Sequence, residues 1–263
     1  MTIDAPPQTV GGMLRDWRQR RRLSQMDLSN EAEVSARHLS FVETGRSKPS
    51  RELLLHLAEH LDVPLRERNA LLLAAGYAPT YRQSVLGADE MAPVRDALDK
   101  ILSGHAPFPA VVVDRHWDLV SANQPAMEIL TDGVAPTLLT PVPNAMRVSL
   151  HPDGLAPKIA NLTEYSAHLL ERLHRQFAGS GDPQLAALID ELRDYPGVSE
   201  GAGAAAPDPA TQLFVPLVLR HRGRELWFFS TLATFGTALD ITIAELAIES
   251  FFPANEATAA ALR

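Results

Sequence analysis

The chain has 263 residues, a formal net charge of −8, 46% hydrophobic residues and no cysteine. That length suits one large or two ordinary domains, each able to bury a core, and the composition is that of a soluble globular protein. Disulfides, thiolate nucleophiles and cysteine-based zinc sites are excluded. No apolar run is long enough for a bilayer, and MTIDAPPQTV lacks the layout of a secretory signal, so no membrane partner and a cytoplasmic location are expected. The charge is uneven: Gly11 to Arg51 carries nine Lys/Arg against five Asp/Glu, a net of +4 that leaves −12 elsewhere. A basic stretch in an acidic chain points to one local anionic partner.

In chain order, residues 1–9 read as a disordered Pro-containing tail. Val10–Arg22 reads as a helix burying Leu14 and Trp17, and Ser24-x-x-Asp27 is a capping box that opens a second helix. Glu33-Val34 occupies a tight connection, after which Ser35 is a suitable N-cap and Val34, Leu39 and Val42 recur at helical spacing. One face of Ser35–Thr44 therefore packs inward. The other carries Ser35, Ala36, Arg37, His38, Ser40 and Phe41: slim side chains and hydrogen-bonding groups, as a helix entering the major groove requires. Gly45 stops that helix, and Arg51–Leu61 and Pro64–Ala75 complete a bundle. An ordinary helical hairpin shares this spacing. Arg15, Arg18, Arg20, Arg21 and Arg22 precede the two helices and Arg46, Lys48 and Arg51 follow them, a layout for phosphate contacts whose plainer counterpart is a solvated arginine-rich face.

Gln25 at the start of the second helix, Glu43-Thr44-Gly45-Arg46 closing the third and Pro49-Ser50 opening the fourth resemble the XRE (Cro/C1)-type helix-turn-helix family over residues 10–77. The resemblance implies an all-α, five-helix, repressor-type domain bound to a double-stranded DNA operator. Its base-contacting positions fall on Ala36, Arg37 and Phe41; with Ser35 and Ser40 on the same face, these five are the base-reading candidates, and Gln25, Arg46 and Lys48 are the phosphate candidates. Because one such unit reads a half-site, a homodimer on a pseudo-palindrome is expected. The sequence departs from the family at Glu33, where glycine is usual; a left-handed non-glycine residue there costs about 1–2 kcal/mol.

Residues 78–90 read as a mobile linker and 91–263 as a second domain. Ala92–Leu102 is amphipathic at helical period, Pro109–Asp114 and Trp117–Ser121 form a β-rich hairpin, and Asn123–Leu130 is helical. A long helix is expected within Pro157–Phe177, another over Pro183–Tyr195, a loop over 196–210, and strands over Gln212–His221, Glu225–Thr234 and Ala238–Leu246. The pattern is α+β with five antiparallel strands. Pro107-x-Pro109-Ala110-x-Val112-Val113-Asp114-x-x-Trp117, Asn123, Asn144-x-x-Arg147, His151-Pro152, Asp182-Pro183 and Phe252-Pro253-Ala254 with Thr258 resemble the ligand-binding domain of MmyB-like transcription regulators, a PAS-like fold. The resemblance implies a one-component regulator whose sensor encloses a small apolar ligand, with long-chain fatty acid the family-level expectation.

Trp117, Asn123, Arg147 and Trp227 are the candidate ligand-binding residues, each with a plainer role open to it: core packing for the tryptophans, a turn bond for Asn123, an ion pair for Arg147. Phe214, Phe229, Phe235, Met127 and Met146 are further cavity candidates by residue type. The histidines show no metal-ligand spacing, and neither a nucleophile elbow, a P-loop nor a dinucleotide fingerprint occurs, so no metal, cofactor or catalytic residue is expected. Two rivals remain: an enzyme with an accessory helix-turn-helix domain, and a protein-protein adaptor that has lost its DNA contacts.

Overall fold

A computed structural model describes residues 9–199 and 214–263; the expected tail, apart from Thr9, and most of the expected 196–210 loop lie outside the described residues. The chain forms two compact units, one drawn mainly from residues up to Ser84 and one mainly from Val85 onward.

The first unit holds α1 (Val10–Arg20), α2 (Gln25–Glu31), α3 (Ala36–Glu43), α4 (Arg51–His60) and α5 (Leu65–Ala74). All end alike. A left-handed residue follows each C-cap (Arg22, Glu33, Gly45, Asp62 and Gly76, φ +46 to +78°), and the next amide bonds back to the carbonyl of residue 18, 29, 41, 58 or 72 at 2.8–3.1 Å. Glu33 has φ +51°, the conformation expected of the turn, and the bonds Val34 N–H to Ser29 O and Glu33 N–H to Asn30 O offset its strain. The capping box forms in full at Ser24 and Asp27, whereas Ser35 makes no side-chain cap. Leu14, Trp17, Leu28, Leu39, Val42, Leu57 and Leu61 are among the residues that fill the core between the helices.

The expected linker is irregular but tied down. The Asn69 side chain accepts from the amides of Thr80 and Tyr81 and donates to Tyr81 O, and in the second unit Arg95 donates to the carbonyls of Leu86 and Ala88. These local bonds were invisible in a segment rich in small and polar residues.

The second unit is α+β. Its antiparallel sheet has the order β2-β1-β5-β4-β3, built from β1 (Ala110–Val113), β2 (Leu119–Ala122), β3 (Leu217–His221), β4 (Arg224–Thr234) and β5 (Ala247–Pro253). The helices are α6 (Ala92–Gly104), α7 (Gln124–Thr131), α8 (Ala145–Leu150), α9 (Leu162–Ser180), α10 (Pro183–Arg193), α11 (Ile241–Ala244) and α12 (Glu256–Ala261). β1 is buried on both faces: Val111 and Val113 join the cluster around α8, α9 and α10, while Ala110 and Val112 pack with Leu98, Leu102, Leu246 and Ile248. Strand period 2 divides the unit into two cores.

One expectation is corrected, and two helices are added to those expected. The last strand is Ala247–Pro253, not Ala238–Leu246, which instead contains the short helix α11. Both stretches are apolar and β-branched, and only pairing with β1 and β4 selects one. Helices α8 and α12, each six residues long, fall below the length at which periodicity reads as helix.

Asn123 caps α7 and holds three elements together. Its Oδ1 accepts from the amides of Ala110 and Ala126, and its Nδ2 donates to the carbonyls of Leu102 and Phe108, at 2.8–3.2 Å. Asn123→Ala would orphan several enclosed backbone groups at about 1–3 kcal/mol each. The thermal midpoint should fall markedly, and a midpoint within a degree of wild type would show that these bonds contribute little.

Candidate functional site

The inward face of α3 consists of Leu39, Val42 and Glu43, so a carboxylate with a fully enclosed side chain sits where a leucine would serve. Arg18, on the inward face of α1 beside Leu14 and Trp17, meets it with two bonds, Nε to Oε1 at 2.7 Å and Nη2 to Oε2 at 2.9 Å, and donates through Nη1 to Leu23 O. Gln25 adds Nε2 to Oε2 at 2.8 Å. Burial pushes the Glu43 carboxyl upward, but the bonds from Arg18 and Gln25 and the charges of Arg18 and Arg15 overcome it and hold the group below the usual carboxylate range. Helices α1 and α3 meet closely at Gly11, where a Cβ would stand 2.3 Å from Val42 O and 2.7 Å from Glu43 O. Glycine is required by that approach.

So anchored, α3 exposes Ser35, Arg37 and His38, with Ala36, Ser40 and Phe41 half-buried beside them. The Arg37 guanidinium lies 5.4 Å from the Phe41 ring centre, and Lys48 Nζ 5.0 Å from that of Tyr77. Arg46 and Lys48 are exposed. The basic layout is thinner than the sequence implies: Arg18 is interior, and Arg21 donates to Leu61 O and Asp62 O while its guanidinium and that of Arg20 lie over the Trp17 ring. Both arginines are structural because α1 needs directional partners for α3 and for the end of α4. Arg18 and Glu43 were missed as a pair, although each follows an apolar pair at inward helical spacing, Leu14/Trp17 and Leu39/Val42.

In the second unit, a cavity of about 60 Å³ lies between the sheet and helices α7, α8 and α9. Trp117, Val111, Met146, Val148, Leu169 and Phe251 line it with Met127, Leu130 and Leu139. Trp117 has φ +69°, a strained conformation for an aromatic residue, in a turn built by Asp114, whose Oδ1 accepts from the amides of His116 and Asp118. Its indole donates to Gln176 Oε1 at 2.9 Å, and the Arg172 guanidinium lies 5.3 Å from its ring centre. Backbone strain is thus tolerated where a ring must face the cavity.

Of the other candidates, Arg147 does not line this cavity: its guanidinium is bidentate on Glu191, which Tyr195 also bonds, and this pairing holds Glu191 below the usual carboxylate range. Helix α8 turns its neighbours Met146, Val148 and Ser149 to the cavity instead. Asn123 is spent on the bonds described above, and Trp227 is 39% exposed on β4. Asn123 borders a wider, open groove of about 900 Å³ with Asp99, Glu128, His221, Arg222 and Arg224. That groove leaves an occupant in water among charges, so apolar burial gains least there. Among the described residues, no group of three or more His, Asp or Glu is placed to hold a metal ion, and no helix is long and apolar enough to cross a membrane.

Residues 9–71 match the family model described as a helix-turn-helix domain, and residues 94–263 match the MmyB-like transcription regulator ligand binding domain. The class so defined is a ligand-responsive, DNA-binding transcription regulator. The chain belongs to the MmyB-like transcription regulator family, whose ligand-binding domain covers most of its length. No curated protein matches it in sequence. A solved structure of an RNA-binding Light-Oxygen-Voltage receptor aligns with 96% of this chain at 11% identity and a TM-score of 0.29, a likeness too slight to bear on fold or function; the chain spans 60% of that structure's length.

The depressed Glu43 carboxyl sets an expected pH dependence. A group lowered in the folded state stabilises fully above its unfolded pKa, about 4.3, and loses that contribution as pH falls through the folded value. Glu43→Gln should lower the thermal midpoint at neutral pH, by leaving Arg18 without its counter-charge, and should flatten the decline in acid. Arg18→Ala strands the carboxylate and should cost about 3–5 kcal/mol in denaturant unfolding. Parallel acid limbs for wild type and Glu43→Gln would show that another group governs acid stability.

Proposed function

We propose that this chain is a cytoplasmic, homodimeric, one-component regulator of XRE type that reads a pseudo-palindromic operator and responds to an acyl-type ligand, a long-chain fatty acid or a relative of one. What supports the DNA half is the anchored α3: its inner face is immobilised by the Arg18–Glu43–Gln25 cluster, so the outer face with Ser35, Ala36, Arg37, Ser40 and Phe41 is presented as a rigid unit to base edges. Arg46 and Lys48, both exposed, are the residues assigned to phosphate, and Gln25, with a second N–H on its amide beyond the bond to Glu43, is assigned with them.

The apolar cavity supports the ligand half. Each buried methylene contributes about 0.8 kcal/mol, so about ten supply roughly 8 kcal/mol, enough for micromolar affinity before ordering costs. A cavity of about 60 Å³ is far below the roughly 300–1,000 Å³ of a formed ligand pocket. An acyl chain therefore has to displace side chains on the more open side, Met127, Leu130 and Leu139, and that displacement is the conformational change the ligand selects.

Arg37→Ala should weaken operator binding by about 1–3 kcal/mol and relax preference at one base pair in a binding-site selection. Lys48→Ala should weaken all sequences alike and reduce the salt slope by about one counterion. Retained preference in the first variant, or an unchanged slope in the second, removes the residue from its role. For regulation, a tenfold change in operator affinity needs about 1.4 kcal/mol of coupling, and linkage requires the operator to change ligand affinity by the same factor. Native mass spectrometry of gently purified protein should identify a retained ligand, and calorimetric titration of that ligand with and without operator duplex should give different affinities. Equal affinities would leave a DNA-binding protein with a passive pocket.

A further inference from the structure

The lining of the cavity is not wholly apolar. Tyr165 on α9 and Glu249 on β5 belong to it and are 7% and 6% exposed, in contrast to Met127 at 40%. The Tyr165 hydroxyl has no hydrogen-bond partner among the described residues, yet no fully enclosed side-chain polar atom lacks one, so the hydroxyl keeps accessible surface on a residue that lines the cavity. Burial, then the nearby Glu249 charge, holds its phenol well above the ordinary value, which keeps the proton in place as a donor. Glu249 has its Oε1 engaged by Arg172 Nη1 and Ser230 Oγ, both at 2.8 Å, while its Oε2 has no partner among the described residues. A mainly apolar chamber, with Ser149 also in its wall, is thus lined by two residues that are each more than nine-tenths buried, one with a free hydroxyl and one with a free carboxylate oxygen.

We propose that Tyr165 and Glu249 recognise the polar end of the ligand, and that this end is uncharged and carries a hydrogen-bond donor, a hydroxyl or an amide, in preference to a carboxylate. The proposal rests on reading the second unit as a sensor for acyl-type ligands and narrows that class. A carboxylate oxygen only accepts, so Glu249 Oε2 calls for a donor from the ligand, and the phenol supplies the complementary donor to the ligand's oxygen. A ligand hydroxyl satisfies both at once. A ligand carboxylate, which likewise only accepts, offers Glu249 Oε2 no donor and sets two acceptor groups against each other, a repulsion that the Arg172 guanidinium on Oε1 offsets only in part. About 60 Å³ holds roughly two water-sized groups, so a hydroxymethyl end fits the cavity as it stands, and only the chain behind it has to push past Met127, Leu130 and Leu139.

The test is calorimetric titration of the full chain at about pH 8 with three probes of equal chain length, 1-dodecanol, dodecanamide and dodecanoate. Dodecanol and dodecanamide are expected to bind at least tenfold tighter than dodecanoate. Tyr165→Phe, which keeps the ring and its packing, should weaken dodecanol about tenfold and leave the thermal midpoint near wild type; Glu249→Gln should narrow the gap between dodecanol and dodecanoate. Dodecanoate binding as tightly as dodecanol overturns the proposal while leaving the acyl sensor intact. Undiminished dodecanol binding by Tyr165→Phe overturns the role of that hydroxyl. Binding of none of the three probes removes the acyl sensor and the proposal together.

Discussion

A carboxylate taken out of water at the end of α3 constrains the DNA-reading unit more tightly than any apolar contact in it. Leucines pack in many registers, because the hydrophobic effect is not directional. Glu43 has far less freedom: enclosing an unpaired charge costs several kcal/mol, so its helix can dock only where Arg18 of α1 arrives with a two-pronged guanidinium and Gln25 of α2 with an amide. The pair need not add net stability over a hydrophobic substitute. What it contributes is registry, and the contact at Gly11, where α1 lies against the last carbonyls of α3, depends on that registry being kept.

The second unit is constrained differently. β1 is covered on both faces, so alternate residues serve two cores, and β5, paired with it, inherits the same division: Ile248 packs with α6 while Glu249 and Phe251 face the cavity. A charged residue on the inner face of a central strand is costly unless answered, and Arg172 and Ser230 answer only one of its oxygens. The same Arg172 lies over the Trp117 ring, so the carboxylate and the strained turn at Trp117 share a partner on α9. Polar recognition and wall geometry in this cavity are therefore parts of one side-chain network.

Much of this was legible from local rules. Capping boxes, C-terminal stops and inward apolar spacing act within a few residues, and they located α1 to α5, the left-handed Glu33 and the outward face of α3. Where apolar runs were short and similar, the same rules could not choose: ALDITIAEL and AIESFFP compete on equal terms until β1 and β4 pair with the second. Family motifs marked Asn123, Asn144 and Arg147, but the first two turn out to cap helices and brace turns and the third to pair with Glu191. A motif signals that a side chain is constrained, not whether its partner is backbone, a neighbouring residue or a ligand.

The sequence by itself determined the helix-turn-helix with its candidate reading face and the α+β character of the remainder, and it offered Trp117 as one of several cavity candidates with core packing left open. Only the tertiary structure decided that Arg18 and Arg21 are structural, that Arg147 does not line the cavity, and that Tyr165 and Glu249, 84 positions apart, line the same cavity. The physical reason is the range of the forces involved. Caps, turns and periodicity are written in neighbouring residues, whereas the fate of a charged or hydroxyl side chain depends on which distant group arrives beside it once the cores have closed.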